Sequence, residues 1–263
     1  MPYDPTQAAI ALDEARRTGV ESSLPEAIRP ATIDEGVAVQ FERARRSGAV
    51  PPAGYKIGAT TQRMQDYLGL SAPAAGYMVG ANLHASGIRM PYASLRGPGA
   101  ECEIGLRLAR DIPAGPCDEA TALAAVGEIF AAIEIVENRY GTPPLGDLAR
   151  IGTPTLIADQ VYHRAAILGT APATWRDLDL AAIPGRVAVD GLQRASGHGR
   201  DLLGHPIKAL AWLAGSPTAV AFGGLKAGQV VMLGSVTPPI WLDRPCHVSV
   251  TFDGLGEVTL TLT

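Results

Sequence analysis

Four charged side chains stand in apolar runs where charge is costly. Glu101 and Glu103 flank Cys102 in AECEIGLRLA, Glu134 sits inside FAAIEIVEN, and Lys56 lies between glycines in GYKIGAT. Residues two apart on a strand share a face, so Glu101 and Glu103 would project together about 7 Å apart at the backbone and repel each other. That face is therefore either wet or holds a cation. The wet alternative is an ordinary half-exposed strand, with Gly105 and Arg107 continuing the polar face and Cys102, Ile104, Leu106 and Leu108 filling the other.

Glu134 adds weight to the cation, because an unpaired carboxylate among apolar neighbours tends to protonate or to find a partner. Glu137 falls on the opposite face of its run. Three carboxylates from two strands, with water and substrate completing the shell, suit a hard divalent cation such as Mg²⁺ or Mn²⁺. A zinc site would call for histidines. Glycines at Gly54 and Gly58 suggest close approach of backbone or ligand beside Lys56. The plain alternative is a surface lysine whose stem lies along apolar neighbours with its ammonium in water.

The elements that must position these groups are legible in outline. Asp4-Pro5 opens a first helix that runs to Gly19, and Thr32 with Glu35 forms a capping-box pattern before a second helix ending near Gly48. From Gly54 onward short strand-like runs dominate: GYKIGAT, ECEIGLRLA, FAAIEIVEN, PGRVAVDG, QVVMLGSV, HVSVTFDG and GEVTLTLT. Helices interrupt them at 61–68, 118–126 and 201–214, the last with Pro206 in its first turn and His205 at its start. GTPPLGD, around Pro143 and Pro144, is expected to be a surface loop. The organisation predicted is α+β, with a helical part at 1–50 and a β-rich catalytic domain at 51–263.

Composition narrows the function. The 263 residues are 47% hydrophobic and 18% charged with a net charge of −4, the balance of a folded enzyme rather than a disordered chain. No basic cluster exceeds residues 43–46, so no nucleic-acid partner is expected. Cys102, Cys117 and Cys246 lack CxxC spacing, which argues against a disulfide framework or thiolate zinc and makes the cytoplasm the expected location. The N-terminus has no apolar leader-like run and no uncharged apolar stretch reaches about 18 residues, so no membrane partner is expected either. SGHGRDLLGHP is rich in glycine but lacks the GK[ST] ending and the strand-to-helix order of nucleotide-binding loops.

Taken in order, GYKIGAT, LGL, AECEIGLRLARDIP, AAIEIVENRY, SGHGRDLLGHPIKALAWLA and GLKAGQVVMLGS resemble the 2-keto-4-pentenoate hydratase branch of the fumarylacetoacetate hydrolase superfamily. The resemblance runs from about Gly54 to the C-terminus. It implies a mixed β-roll with a small helical N-terminal part, Mg²⁺ or Mn²⁺ on Glu101, Glu103 and Glu134, and a small 2-oxo acid chelating that ion. It also implies a catalytic Lys56, substrate-binding roles for Arg139, Asp159, Gln160 and Ser235, and a homo-oligomer. The implied reaction is addition of water to a 2-oxo or 2-hydroxy-dienoate through an enolate, as in aromatic compound degradation. Decarboxylation, C–C hydrolysis or oxo-acid binding without turnover are the alternatives. One departure bears on that choice: GYMVGANLH has Ala81 where the branch carries an acid, leaving Tyr77 and His84 as substitutes to consider.

Overall fold

The computed structural model describes residues 3–141 and 148–263; the surface loop expected around Pro143 and Pro144 lies outside the described residues. Local signals set the first two helices. α1 (Thr6–Thr18) ends at Gly19, whose left-handed φ of 70° favours a residue without a Cβ, and it carries Arg16 and Arg17 in its last turn. α2 (Ile33–Arg46) begins with the capping box of Thr32 and Glu35 and ends in Arg43, Arg45 and Arg46, cations placed at the negative end of the helix.

The β-rich body forms two sheets. Their strands are β1 (Gly54–Gly58), β2 (Ala74–Met78), β3 (Leu83–Ala85), β4 (Ile88–Met90), β5 (Pro98–Leu108), β6 (Val126–Glu137), β7 (His163–Leu168), β8 (Pro184–Val189), β9 (Leu192–His198), β10 (Val230–Ser235), β11 (Ile240–Trp241), β12 (His247–Phe252) and β13 (Gly256–Leu262). The larger sheet runs β2-β1-β10-β5-β6-β7-β3 with β11 paired to β5, and the smaller runs β4-β13-β12-β8-β9. β1 is parallel to β10, β3 to β7 and β4 to β13; the other pairings are antiparallel. This is the α+β mixed architecture expected from the strand-like runs.

Alternation along β5 and β6 divides labour between the faces of the larger sheet. Cys102, Ile104, Leu106, Ile129, Ala131 and Ile133 point into the main core, which they share with Val187, Val248, Val250, Phe252 and Val258 of the smaller sheet. The other face carries the charged residues over an apolar floor that includes Phe130, Ala132, Ala166 and Met232. Gly105 permits that floor, because a Cβ there would meet a Phe130 ring carbon at 2.4 Å.

The remaining helices are α3 (Gln62–Leu68), α4 (Glu119–Ala125), α5 (Leu148–Ile151), α6 (Thr153–Ala158), α7 (Pro206–Ala214) and α8 (Pro217–Ala221). Thr61 caps α3 and Asp118 caps α4, in keeping with the sequence signals. α7 starts at Pro206 rather than at 201. The chain first makes a 3-10 turn at Gly199–Asp201, and Leu203 and Gly204 then adopt φ of 55° and 91°, which no α-helix accommodates. His205 caps α7, its Nδ1 accepting the Ile207 N–H at 3.1 Å. Among the described residues no helix is long and apolar enough to cross a membrane.

Candidate metal centre and its cleft

β5 and β6 pair so that Glu101 lies directly opposite Glu134 and Glu103 opposite Ala132. All three carboxylates leave the sheet on the face away from the main core, with one oxygen of each within 4.8 Å of the others. Like charges set opposite one another weaken a sheet. Glu103 and Glu134 are in addition fully buried, and Glu101 is half-buried. Burial pushes the Glu101 carboxyl up to about 8, with Glu134 adding to the effect and Lys56 opposing it. Burial likewise raises Glu103 well above its ordinary value, reinforced by Glu134 and Glu101. Glu134 behaves oppositely: burial raises it, but the Lys56 ammonium and the His163 hydrogen bond outweigh burial and hold it low.

Each fully buried carboxylate is half committed. Glu103 Oε2 accepts the Gly234 N–H at 3.0 Å, and Glu134 Oε1 lies 2.7 Å from His163 Nδ1. Their other oxygens, Glu103 Oε1 and Glu134 Oε2, are buried with no hydrogen-bond partner. Native proteins satisfy such atoms with protein, water or an ion. Two buried carboxylate oxygens without hydrogen bonds, converging with a third carboxylate, fit a hard divalent cation whose remaining positions go to water or a ligand.

Local backbone features deliver these groups. β10 pairs with β5 in register as far as Met232 opposite Gly105, then slips so that Ser235 lies opposite Glu103. Gly234, at φ 104°, makes that bulge, and a Cβ there would lie 2.6 Å from Thr60 Cγ2. The bulge turns the Gly234 N–H toward Glu103. Lys56 is buried, 2% exposed, with Nζ 3.5 Å from Glu134 Oε2. A Cβ on Gly58 would lie 3.3 Å from that Nζ, so glycine leaves the ammonium its room.

A cleft of about 500 Å³ opens over the centre, lined by Lys56, Glu101 and Ser235 together with Met64, Leu68, Tyr162 and Trp241. Arg63 and Asp201 also line it. The Ser235 hydroxyl is engaged with the β5 backbone, accepting the Cys102 N–H at 3.2 Å and donating to the Cys102 carbonyl at 3.3 Å.

The structure thus brings Lys56, Glu101, Glu103, Glu134 and Ser235 together. It places Arg139, Asp159 and Gln160 behind the cleft wall instead of on it. Asp159 is a fully buried hub: its Oδ1 accepts from Arg16 at 2.6 Å and Arg43 at 3.0 Å, and its Oδ2 from Arg139 at 3.0 Å and Tyr140 at 2.9 Å. The next three residues, Gln160, Val161 and Tyr162, hold φ of 63°, 50° and 66°. This left-handed turn reverses the chain, so that Gln160 donates to the Tyr77 carbonyl at 3.0 Å while Val161 and Tyr162 reach the cleft. Ala81 lies exposed in a surface turn, Tyr77 is buried against Phe222, and His84 sits on β3; none lines the cleft.

His163 is the residue that sequence reasoning missed. It is fully buried, and burial holds its imidazolium below the ordinary value against the opposing pull of Glu134. Its only sequence signal is a lone histidine heading the apolar run HRAAIL, which does not reveal a partner 29 positions earlier.

Residues 60–263 match the fumarylacetoacetate (FAA) hydrolase C-terminal family, and the chain belongs to that family. Within it the chain resembles the 2-keto-4-pentenoate hydratases: it is 33% identical over 219 residues to the 2-keto-4-pentenoate hydratase of Burkholderia vietnamiensis, covering 83% of this chain and 81% of that one. Among solved structures, 4-oxalocrotonate decarboxylase from Pseudomonas putida G7, complexed with magnesium and adipate, superposes with a TM-score of 0.87. It is 22% identical and covers 98% of this chain and 97% of its own. Fumarylpyruvate hydrolase from Pseudomonas aeruginosa, in complex with Mn²⁺ and pyruvate, gives 0.60 at 16% identity, covering 80% of this chain and 88% of its own.

Proposed function

We propose that the chain is a divalent-metal-dependent hydratase that adds water to a small 2-oxo or 2-hydroxy-dienoate, in aromatic compound degradation. The observation that carries this reading is the pair of buried oxygens on Glu103 and Glu134 that lack hydrogen bonds, converging with Glu101 beside Lys56 at a cleft. Glu101, Glu103 and Glu134 would hold Mg²⁺ or Mn²⁺, ions found in structures of the same fold. When bound, such an ion stabilises negative charge at the oxygen of a 2-oxo acid.

The chain's own residues do the rest. The Lys56 ammonium, held by Glu134, neutralises substrate carboxylate charge or moves a proton at Nζ. Ser235, fixed to the β5 backbone, shapes the substrate loop beside it. Arg139, Asp159 and Gln160 act on substrate through the wall they support. Met64, Leu68 and Trp241 give the cleft an apolar side that accepts a carbon tail and limits water. The reading includes a cytoplasmic homo-oligomer, checked by light scattering of the purified chain.

The deciding experiment follows products by NMR in Mg²⁺ buffer with a 2-hydroxydienoate, an oxalocrotonate-like diacid and an acylpyruvate. A hydrated product from the dienoate is expected. Carbon dioxide release or acyl cleavage without hydrated product overturns the hydratase reading in favour of decarboxylase or C–C hydrolase chemistry. Turnover of none of them leaves an oxo-acid binder.

A further inference from the structure

We infer that His163 is a positioning residue of the metal centre: its Nδ1–H holds Glu134 so that a single oxygen, Oε2, is presented to the cation. The inference rests on the metal reading above and goes beyond its ligand set. An ionised carboxylate can only accept a hydrogen bond, so at 2.7 Å from Glu134 Oε1 the His163 Nδ1 carries the proton. In the neutral ring with its proton on Nδ1, Nε2 is a bare acceptor, and it is buried with no hydrogen-bond partner.

That orphan is informative. Burying an unsatisfied polar atom costs roughly 1–3 kcal/mol, so an imidazole kept merely to fill space would be a poor choice beside leucine or methionine. Among the described residues the ring's hydrogen bond is the one to Glu134. The cation-capable group among the described residues consists of Glu101, Glu103 and Glu134, and His163 touches it through its hydrogen bond to Glu134.

The ring's backbone is fixed from several sides. His163 heads β7 where the β6–β7 register slips, opposite Val136, and its N–H donates to the Gln160 carbonyl at 3.1 Å. Arg16 of α1 donates to the His163 carbonyl at 3.4 Å and to the Asp159 carbonyl at 2.7 Å. The left-handed turn at residues 160–162 is thereby locked between the Asp159 hub and β7, which aims the imidazole at one oxygen of Glu134. Glu103 is treated the same way by the Gly234 N–H. Both buried ligands are thus restrained to one-oxygen binding, which leaves more of the roughly six positions of a Mg²⁺ shell to substrate and water.

The test is Mn²⁺ titration, by calorimetry and by the EPR signal of free Mn²⁺, on the wild type, His163→Ala and His163→Asn, with circular dichroism as a fold control. His163→Ala is expected to bind Mn²⁺ about 10- to 100-fold more weakly, the usual cost of losing a hydrogen bond to a metal ligand. Asn carries an N–H near the Nδ1 position and is expected to restore most of that loss. A folded His163→Ala with wild-type affinity, or an Asn variant no better than Ala, overturns the inference. Should His163→Ala fail to fold, ¹⁵N NMR of the wild-type imidazole decides: the Nδ1–H tautomer supports the role, and the Nε2–H tautomer overturns it. A wild type that binds no Mn²⁺ sinks the metal reading itself, whereas equal binding by wild type and His163→Ala sinks this inference alone.

Discussion

At Glu103 and Glu134, what makes the folded chain costly is also what makes it chemically able. Each buries a carboxylate oxygen without a hydrogen-bond partner, and Glu103 is held above its ordinary pKa chiefly by burial. Replacing Glu103 by Gln removes an ionisable group whose charged form burial and its acidic neighbours disfavour, while keeping its shape. The metal-free Glu103→Gln protein should therefore melt at or above the wild-type temperature, yet bind Mn²⁺ at least ~10-fold more weakly for want of a charged oxygen ligand. Wild-type affinity in calorimetry would remove Glu103 from the ligand set. Lys56→Met makes a complementary prediction. With the ammonium gone from its place 3.5 Å from Glu134, turnover and oxalate affinity should fall steeply while Mn²⁺ binding survives. Normal kinetics with normal oxalate affinity would return Lys56 to a structural role. The carboxylates and Lys56 were legible in the sequence because charge inside an apolar strand is conspicuous at any scale of reading. His163 was not, since a single histidine says nothing about which strand will lie beside it.

Secondary-structure elements were legible where their signals are local, and opaque where the signal is a tertiary clash or a buried network. The Thr32–Glu35 capping box and the Thr61 and Asp118 caps announce their helices. The bulge at Gly234, where Thr60 leaves no room for a Cβ, and the left-handed turn at residues 160–162 beside the Asp159 hub depend on tertiary neighbours that sequence spacing does not encode. The same blindness assigned Arg139, Asp159 and Gln160 directly to substrate. The family resemblance locates them near the site but cannot tell the front of a wall from its back. Three non-glycine residues in the left-handed region cost on the order of 1–3 kcal/mol each and persist only where their surroundings over-determine them. Asp159 with Arg16, Arg43 and Arg139 is that surrounding, joining α1 and α2 to the turn that carries Tyr162 and His163. Burial alone would raise the Asp159 carboxyl, but Arg139, Arg16 and Arg43 hold it far below its ordinary value. A depressed carboxylate contributes stability above its unfolded pKa of about 3.9 and loses it as pH falls toward the folded value. Urea denaturation should accordingly show Asp159→Asn destabilised by about 3–5 kcal/mol near neutrality, since three guanidinium groups lose their shared partner. The deficit relative to wild type should narrow below about pH 4. A constant deficit across that range would show that Asp159 acts through packing rather than charge.

Across the whole molecule, the two sheets bury one face of β5 and β6 and leave the other to carry the acidic centre. Strand order was the least legible feature, because β1 pairs with β10 and β13 with β4 across most of the chain. That topology makes the centre a junction: Lys56 comes from β1, Glu101 and Glu103 from β5, Glu134 from β6, His163 from β7 and the Gly234 N–H from β10. A cation bound there ties five strands of one sheet and replaces carboxylate repulsion with attraction, so occupancy should be felt as global stability. A ligand at 100 times its Kd stabilises the native state by about 2.7 kcal/mol. For a chain of this size each kcal/mol moves the melting midpoint by about 2–4 °C, so saturating Mg²⁺ or Mn²⁺ should raise it by roughly 5–10 °C. EDTA should reverse the shift. Oxalate, a two-oxygen mimic of a 2-oxo acid, should add to it only when metal is present, because its site includes the cation. Glu134→Gln supplies the control. It keeps the packing of β6 but removes the charge opposite Glu101, so its midpoint should respond weakly to metal and hardly at all to oxalate. A wild-type midpoint indifferent to both metals, or an oxalate shift that persists in EDTA, would show that the three carboxylates do not form the centre on which the sheet converges.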